Sequence, residues 1–280
     1  MIDLHCHSTF SDGQKSPAEL VDMAVAKGLS ALALTDHDTT AGVPALLAAG
    51  VGKAIELIPG TELSVDCEKG VMHMLGYWMD PENRALNEAM DWVRNGRDVR
   101  NHKILEKLQE LGYEIAWEEV ASRVSKDGVM GRPHFAMTLV DKGIAKDWND
   151  AFDRFLGTGK AAYVERARLT AERAIALIRG AGGVAVLAHP FTLGLSREAL
   201  EEQIGTLAGQ GLGGMECYYS EHSSEQCRSF LEIAGKFGLV PTGGSDYHGK
   251  PGSNLELGTG FGGLKVPDET VAALKAKLGA

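Results

Sequence analysis

Seven short apolar runs in this chain each carry or lead into a histidine or a carboxylate, and that arrangement restricts the fold more than anything else in the sequence. Met1-Ile-Asp-Leu-His5 leads to Cys6 and His7, Leu29 to Leu34 leads to Thr35-Asp-His-Asp38, and Ile55 to Ile58 leads to Pro59-Gly-Thr-Glu62. Val71 to Trp78 contains His73, and Gly183 to Ala188 leads to His189-Pro190. Gly214 to Tyr219 and Leu239 to Ser245-Asp246 complete the set. Runs of this length, apolar on both faces, suit strands covered on both sides. Helical stretches fall between many of them. Ser16-Pro17-Ala18-Glu19 is a capping box with proline at the first helical position, and its apolar run stops at Gly28. Thr170 onward, Ser196 onward and Ser224 to Phe237 read as further amphipathic helices. Strand–helix alternation of this kind is the pattern of an α/β sheet or barrel, and barrels build their sites at the C-terminal ends of the strands. Seven candidate strands are one short of the eight-stranded barrel.

The alternation breaks between Pro81 and Phe155, where the pattern is helical: Leu86 to Leu111, Trp117 to Val124, His134 to Lys142 and Asp147 to Phe155. The expected organisation is a discontinuous barrel over 1–80 and 156–280 with a helical insert over 81–155, set over one barrel rim and shaping the substrate site. A chain of 280 residues accommodates this arrangement. A net charge of −10 argues against a broad basic face for duplex DNA or an anionic membrane, while leaving room for a local cationic pocket. No apolar run approaches the ~18 residues of a membrane span. The four cysteines lack CxxC spacing and the chain starts without a leader pattern, so a reducing cytoplasm is the expected compartment.

His5-x-His7 puts two imidazoles on one side of a strand, because strand side chains alternate. Asp12, Asp36-His37-Asp38, Glu62, His73, His189 and Asp246-x-His248 add to it at or near successive strand ends. Any one of these alone is more often a solvated or hydrogen-bonded residue, and Asp36 and Asp38 are equally readable as turn or N-cap residues. Together they would be hard to stabilise without cations, since desolvation and like-charge repulsion would neutralise or protonate some members. Mixed imidazole and carboxylate ligands suit Mn²⁺, Fe²⁺ or Zn²⁺, and their number exceeds what one ion needs, so two or three divalent ions are expected, Mn²⁺ first. Clustered ions polarise water and clamp phosphate oxygens, which favours phosphoester hydrolysis over metal-assisted C–N hydrolysis.

Asp3-Leu-His-Cys-His7 with Ser11-Asp-Gly13, Leu34-Thr-Asp-His-Asp38, Pro59-Gly-Thr-Glu62, His73, Ala188-His-Pro190 and Gly244-Ser-Asp-Tyr-His248 together resemble the polymerase-and-histidinol-phosphatase (PHP) superfamily. The resemblance covers Met1 to about Asp80 and about Thr170 to Leu257. It implies a distorted (β/α)7 barrel with a trinuclear metal site. Carried over, it gives His5, His7, Glu62 and Asp246 to a first ion, and Glu62, His73 and His189 to a second. Asp12, His37 and His248 hold the third, with Asp12 standing where many members have histidine. Asp12, His37 and Glu62 are the members of this set assigned to catalysis. The leaving-group acid stays open between Asp12, Asp36 and water on a metal.

The insert carries Arg97, Arg100, Asn101 and Lys103 at spacings that place them on one helix, and Gly131-Arg132-Pro133-His134 beside a rigid turn. Guanidinium groups bind phosphate bidentately, so these residues are candidates for holding a second, non-reacting phosphate; a solvated helix face is the plain alternative. The Arg-Asn-His-Lys and Gly-Arg-Pro-His segments resemble those of the family's bacterial enzymes that take the 3′-phosphate from nucleoside 3′,5′-bisphosphates, relatives of which trim short RNA from its 5′ end. A small nucleotide or short single-stranded RNA is therefore the expected partner. Histidinol phosphate or another small phosphomonoester is the rival substrate, and a non-catalytic nucleotide- or metal-binding module is the rival class.

Overall fold

Four helix starts in this chain are fixed by hydroxyl side chains. Ser16, Thr170, Ser196 and Ser223 each accept a hydrogen bond from the backbone N–H three residues on, at 3.1–3.3 Å, satisfying a donor that the helix itself leaves open. In the computed structural model, which describes residues 1–124, 130–165, 168–250 and 252–279, they open α1 (Pro17–Ala26), α7 (Ala171–Gly180), α8 (Arg197–Gly209) and α9 (Ser224–Lys236). The remaining helices are α2 (Val43–Ala49), α3 (Arg84–Glu110), α4 (Trp117–Ala121), α5 (Arg132–Asp141), α6 (Trp148–Ala151) and α10 (Glu269–Lys275).

Seven strands form one sheet in chain order: β1 (Ile2–Asp3), β2 (Ala31–Leu34), β3 (Glu56–Val65), β4 (Met72–Tyr77), β5 (Val184–Leu187), β6 (Gly214–Tyr219) and β7 (Val240–Gly244). The sheet curls until β7 meets β1, through backbone bonds from Leu4 N to Gly243 O at 3.2 Å, Asp246 N to His5 O at 2.8 Å and His7 N to Tyr247 O at 2.9 Å. Gly244 permits that approach, because a Cβ there would sit 2.4 Å from the backbone N of His5. The carboxylate of Asp3, fully buried, ties the seam from the side. It accepts from the N–H groups of His5, Ser245 and Gly258 and from the Ser245 hydroxyl, at 2.6–3.2 Å. This is a distorted seven-stranded β/α barrel.

Two features differ from the alternating pattern read in the sequence. β4 runs antiparallel to both β3 and β5. Only six residues separate β3 from β4, and a parallel return needs a crossover of a dozen or more. The reversal puts His73, at the start of β4, beside the C-terminal ends of the other strands. Glu62 lies within β3, not at its end, because the strand continues past Pro59 and exchanges β2 for β4 as its partner at Gly60. A Cβ at Gly60 would fall 2.5 Å from the Leu34 carbonyl oxygen, so the change of partner depends on glycine.

The chain divides into two compact units, 1–90 with 169–280, and 91–168. In the first, Ile2, Leu4, Ala33, Leu75, Tyr77 and Val186 pack with Val271 and Leu274 of α10. The second has its own core of Ile104, Leu108, Phe135, Leu139, Phe155 and Leu156. Burial of each such side chain contributes roughly 1.5–3 kcal/mol, so each unit has a substantial apolar centre of its own.

Candidate metal centre

Nine side chains converge where the strand ends of the barrel unit meet: His5, His7, Asp12, His37, Glu62, His73, His189, Asp246 and His248. They fall into four overlapping groups that could each hold a cation: His7, Asp12, His37 and His248; His5, His189 and Asp246; His5, His7 and Glu62; and His37, Glu62 and His73. Glu62 is the hub. Its Oε1 lies 2.8 Å from His73 Nδ1 and 3.0 Å from His189 Nε2. Its Oε2 lies 3.1 Å from His37 Nδ1, 3.2 Å from His7 Nε2 and 3.4 Å from His5 Nε2. Asp246 Oδ1 sits 3.1 Å from His7 Nε2 and 3.4 Å from His5 Nε2, and Asp12 Oδ1 sits 3.1 Å from His248 Nε2.

Neighbouring groups aim these atoms inward. His189 Nδ1 lies 3.1 Å from the Thr192 hydroxyl and His248 Nδ1 lies 2.8 Å from the Asp246 carbonyl, which leaves each Nε2 turned to the centre. Tyr219 donates to Asp246 Oδ2 at 2.8 Å, freeing Oδ1. His189 and Asp246 have φ of 22° and 57°, a region that ordinary side chains seldom occupy and that is held only when surroundings enforce it.

The electrostatics show what is missing. His5 Nε2, both His7 nitrogens, His37 Nδ1, His73 Nδ1, Glu62 Oε2 and Asp246 Oδ1 are buried without a hydrogen-bond partner. At about 1–3 kcal/mol for each unsatisfied buried group, seven would cost as much as the whole stability of an ordinary domain, about 5–15 kcal/mol. In the bare protein, burial pulls His7 down, but the carboxylates of Asp246 and Glu62 outweigh it and raise the imidazole to about 10. Burial, aided by the positive charge of His7 and His73, depresses His37 to about 3 against the pull of Glu62 and Asp12. Burial pushes the carboxyls of Glu62 and Asp246 up, and the surrounding imidazoles hold them well below the usual carboxylate range. Lone pairs converging from nitrogen and oxygen fit divalent cations of the Mn²⁺, Fe²⁺ and Zn²⁺ type, and the shared membership of the groups fits more than one ion. Accessibility is graded. His5, His7 and Glu62 form a dry floor, while the Asp12 side chain is 38% exposed and marks the open edge.

Asp36 does not belong to the centre. Its carboxylate is buried and takes the Ser8 N–H and hydroxyl and the Ser11 hydroxyl at 2.7–2.8 Å, so it shapes the turn that presents Asp12. Asp38 likewise holds Ser64, through its N–H and hydroxyl. Cys6 points away from the two histidines into the core, as strand alternation requires. Glu216, near its strand end a candidate to support the ligands without a defined role, is fully buried and lies 3.1 Å from His5 Nδ1. The polar residue within an otherwise apolar strand was its only signal.

In the helical unit, Arg97, Arg100 and Arg132 come together with Arg168, which the sequence reading did not select. Arg100 is nearly buried, and burial together with the charges of Arg132, Arg97 and Arg168 lowers its guanidinium to about 10. Arg132 lies 5.7 Å above the Tyr163 ring and donates to the Leu156 carbonyl. Glu165, largely exposed, lies 3.7 Å from Arg168. The other three expected residues lie on the same helical unit. Asn101 is buried and donates to the Met130 carbonyl at 3.0 Å, and Lys103 is exposed. His134 Nδ1 accepts from the Gly131 N–H at the start of α5.

The description of the PHP domain matches residues 3–156, more than half of the chain. The chain belongs to the PHP domain family. Over 92% of its length it is 34% identical to the 3′,5′-nucleoside bisphosphate phosphatase of Chromobacterium violaceum, of which it covers 90%. It is 36% identical to the 5′-3′ exoribonuclease of Escherichia coli, over 92% of this chain and 88% of that one. A solved structure from Chromobacterium violaceum, described as an amidohydrolase with bound sulfate and no metal, superposes with a TM-score of 0.83 at 33% identity, covering 99% of this chain and 96% of that one. These similarities place this PHP protein among the metal-dependent phosphoesterases. No helix among its described residues is long and apolar enough to cross a membrane.

Proposed function

We propose that this PHP protein hydrolyses the 3′-phosphate of nucleoside 3′,5′-bisphosphates, giving the nucleoside 5′-phosphate and inorganic phosphate, with Mn²⁺ as the working ion. The observation that carries the reading is the ring of inward, unpartnered donor atoms around Glu62, which fits clustered cations. In this reading His5, His7, Glu62 and Asp246 hold one ion, Glu62, His73 and His189 a second, and Asp12, His37 and His248 a third. When bound, such ions lower the pKa of water and neutralise phosphoryl oxygens. The side chains contribute position. Glu62 spans two of the groups with its two oxygens, and the buried floor of His5 and His7 excludes water from beneath. Asp12 and His37 flank the exposed edge, where a phosphate ester would enter.

The arginine cluster supports the bisphosphate over a simple monophosphate. Guanidinium groups gathered around a buried Arg100 favour an anion, and a nucleotide with two phosphates supplies one that is not hydrolysed. Arg97, Arg100 and Arg132 are assigned to that role, with Arg168 added; Asn101, Lys103 and His134 complete the expected set. Short 5′-phosphorylated RNA offers the same pair of phosphates, and the likeness to an exoribonuclease favours it as a second substrate. Four free cysteines suit a reducing cytoplasm.

Phosphate release from adenosine 3′,5′-bisphosphate with added Mn²⁺, beside histidinol phosphate and a short 5′-phosphorylated RNA, tests the reading. Preference for the bisphosphate with AMP as product is expected. Turnover of histidinol phosphate alone would overturn the bisphosphate assignment, and silence on all three by metal-loaded protein would leave a nucleotide- or metal-binding module.

A further inference from the structure

Six of the seven strands, or the turns that follow them, supply the nine converging side chains, and β6 supplies none. Yet β6 is not idle. Its register against β7 shifts between Glu216 and Tyr218, leaving Cys217 as an extra residue. A bulge of this kind re-aims side chains. Residues at i and i+3 of a regular strand face opposite ways, but here Glu216 and Tyr219 both reach the centre. Gly243 on β7 makes room, since a Cβ there would lie 2.2 Å from the Tyr218 carbonyl oxygen.

We propose that Glu216 is a positioning residue that selects the tautomer of His5 and locks the backbone of His189, so that one carboxylate prepares ligands for two ion positions. The inference rests on the metal-centre reading above and goes beyond its ligand set. Glu216 Oε1 lies 3.1 Å from His5 Nδ1, and Oε2 accepts the backbone N–H of His189 at 2.7 Å. A carboxylate has only acceptors, so His5 must carry its proton on Nδ1. Its lone pair is then on Nε2, the atom beside Glu62 and Asp246. The second oxygen holds the N–H of a residue at φ 22°, a backbone geometry that needs outside support.

The carboxylate cannot be replaced by its amide without conflict. In Glu216→Gln, the amide oxygen can keep the His189 N–H, but its NH₂ then faces His5 Nδ1. The imidazole must accept there and carry its proton on Nε2, pointing an N–H at the ion position. With the amide flipped, NH₂ meets the N–H of His189, donor against donor. Side-chain volume is unchanged in both cases, so packing does not explain a loss.

The test measures metal rather than turnover. Metal-free wild type and Glu216→Gln are titrated with Zn²⁺, and bound metal per chain is counted. The variant is expected to bind with affinity reduced by about 10–100-fold, the range for partners of metal-bound histidines, and to retain fewer ions after desalting. Its metal-free fold, read by circular dichroism, should match wild type. Tyr219→Phe, which removes a partner of Asp246 alone, should lose less. Equal Zn²⁺ affinity and count in Glu216→Gln would overturn the proposal. Should the variant not fold, ¹⁵N–¹H spectra of the histidine-labelled, Zn²⁺-loaded wild type decide: a proton on His5 Nδ1 supports the assignment, and one on Nε2 overturns it. A wild type that binds Zn²⁺ but cleaves no phosphate ester would remove the proposed activity while these measurements still judge Glu216.

Discussion

The barrel unit and the helical unit each concentrate charged groups where water is scarce, but the two concentrations are built on opposite plans. Around Glu62, imidazoles and carboxylates alternate, and seven buried atoms face one another without hydrogen bonds. Around Arg100, guanidinium groups of one sign crowd together, with the Glu165 carboxylate beside Arg168. A mixed set with converging lone pairs is completed by cations. A single-sign set is completed by an anion. The physical cost has the same origin in both places, the desolvation of charged groups, and the sign of the charge points to the kind of partner that would relieve it.

The largest effect should come from the hub. Glu62→Gln withdraws the carboxylate common to two groups, and hydrolysis should fall by at least the ~10²–10³-fold that one lost electrostatic contact to a transition state costs. Sulfate or phosphate binding by the helical unit should be untouched. Activity within tenfold of wild type would break the cation half of the comparison. Next, Arg132→Ala should lower kcat/KM for bisphosphates by roughly 10–100-fold, as expected for one charge-assisted contact. Hydrolysis of simple monophosphates should change little, and equal losses on both substrates would remove the anion role.

A third effect separates bare from loaded protein by pH. Without metal, His7 is raised to about 10, and His5 and His189 are raised, because neighbouring carboxylates outweigh burial. Their contribution is full below about pH 6.5, the unfolded value, and is lost as pH climbs toward 10. His37, depressed to about 3, and the depressed carboxyls of Glu62 and Asp246 act in the other direction. Their contribution is present above the unfolded values and fades on acidification. The metal-free melting temperature should therefore fall on both sides of about pH 6.5, whereas cation-loaded protein, which needs neutral imidazoles, should hold its stability into the alkaline range. Parallel curves for the two forms would contradict the cation assignment. The smallest effect is expected from Arg100→Met, which relieves like-charge crowding. It should raise the melting temperature in phosphate-free buffer by about 2 °C and cancel the extra stability that added phosphate gives wild type; a lower melting temperature would show that Arg100 is already compensated.

Much of the centre was legible because its residues break the usual rules of burial. Histidines and carboxylates at the ends of apolar runs have no reason to be there unless they work together, and the run boundaries in β1, β2, β5 and β7 placed them on one rim. β4 could be recognised as a strand, but its direction depends on the length of the loop before it, and Glu62 became interior to β3 only through the exchange of partners at Gly60. Asp36, beside His37, had the look of a ligand. Its commitment to Ser8 and Ser11 arises from a loop folding back across the chain, which spacing does not encode. Arg168 and Tyr163 join Arg100 only when the helical unit closes, and Glu216 and Tyr219 face the centre together only because of a one-residue bulge.

The Asp3 seam has a consequence for synthesis. Asp3 and Ser245 are 242 positions apart in the chain, yet the carboxylate of one fastens the other beside the first two histidines. On a translating ribosome, His5 and His7 emerge before Asp246 and His248 and wait while the long stretch between them is made. The full set of nine side chains is complete only when β7 and the turn after it arrive. A nascent chain stalled before β7 would hold its imidazoles open to whatever ion or thiol the cell offers.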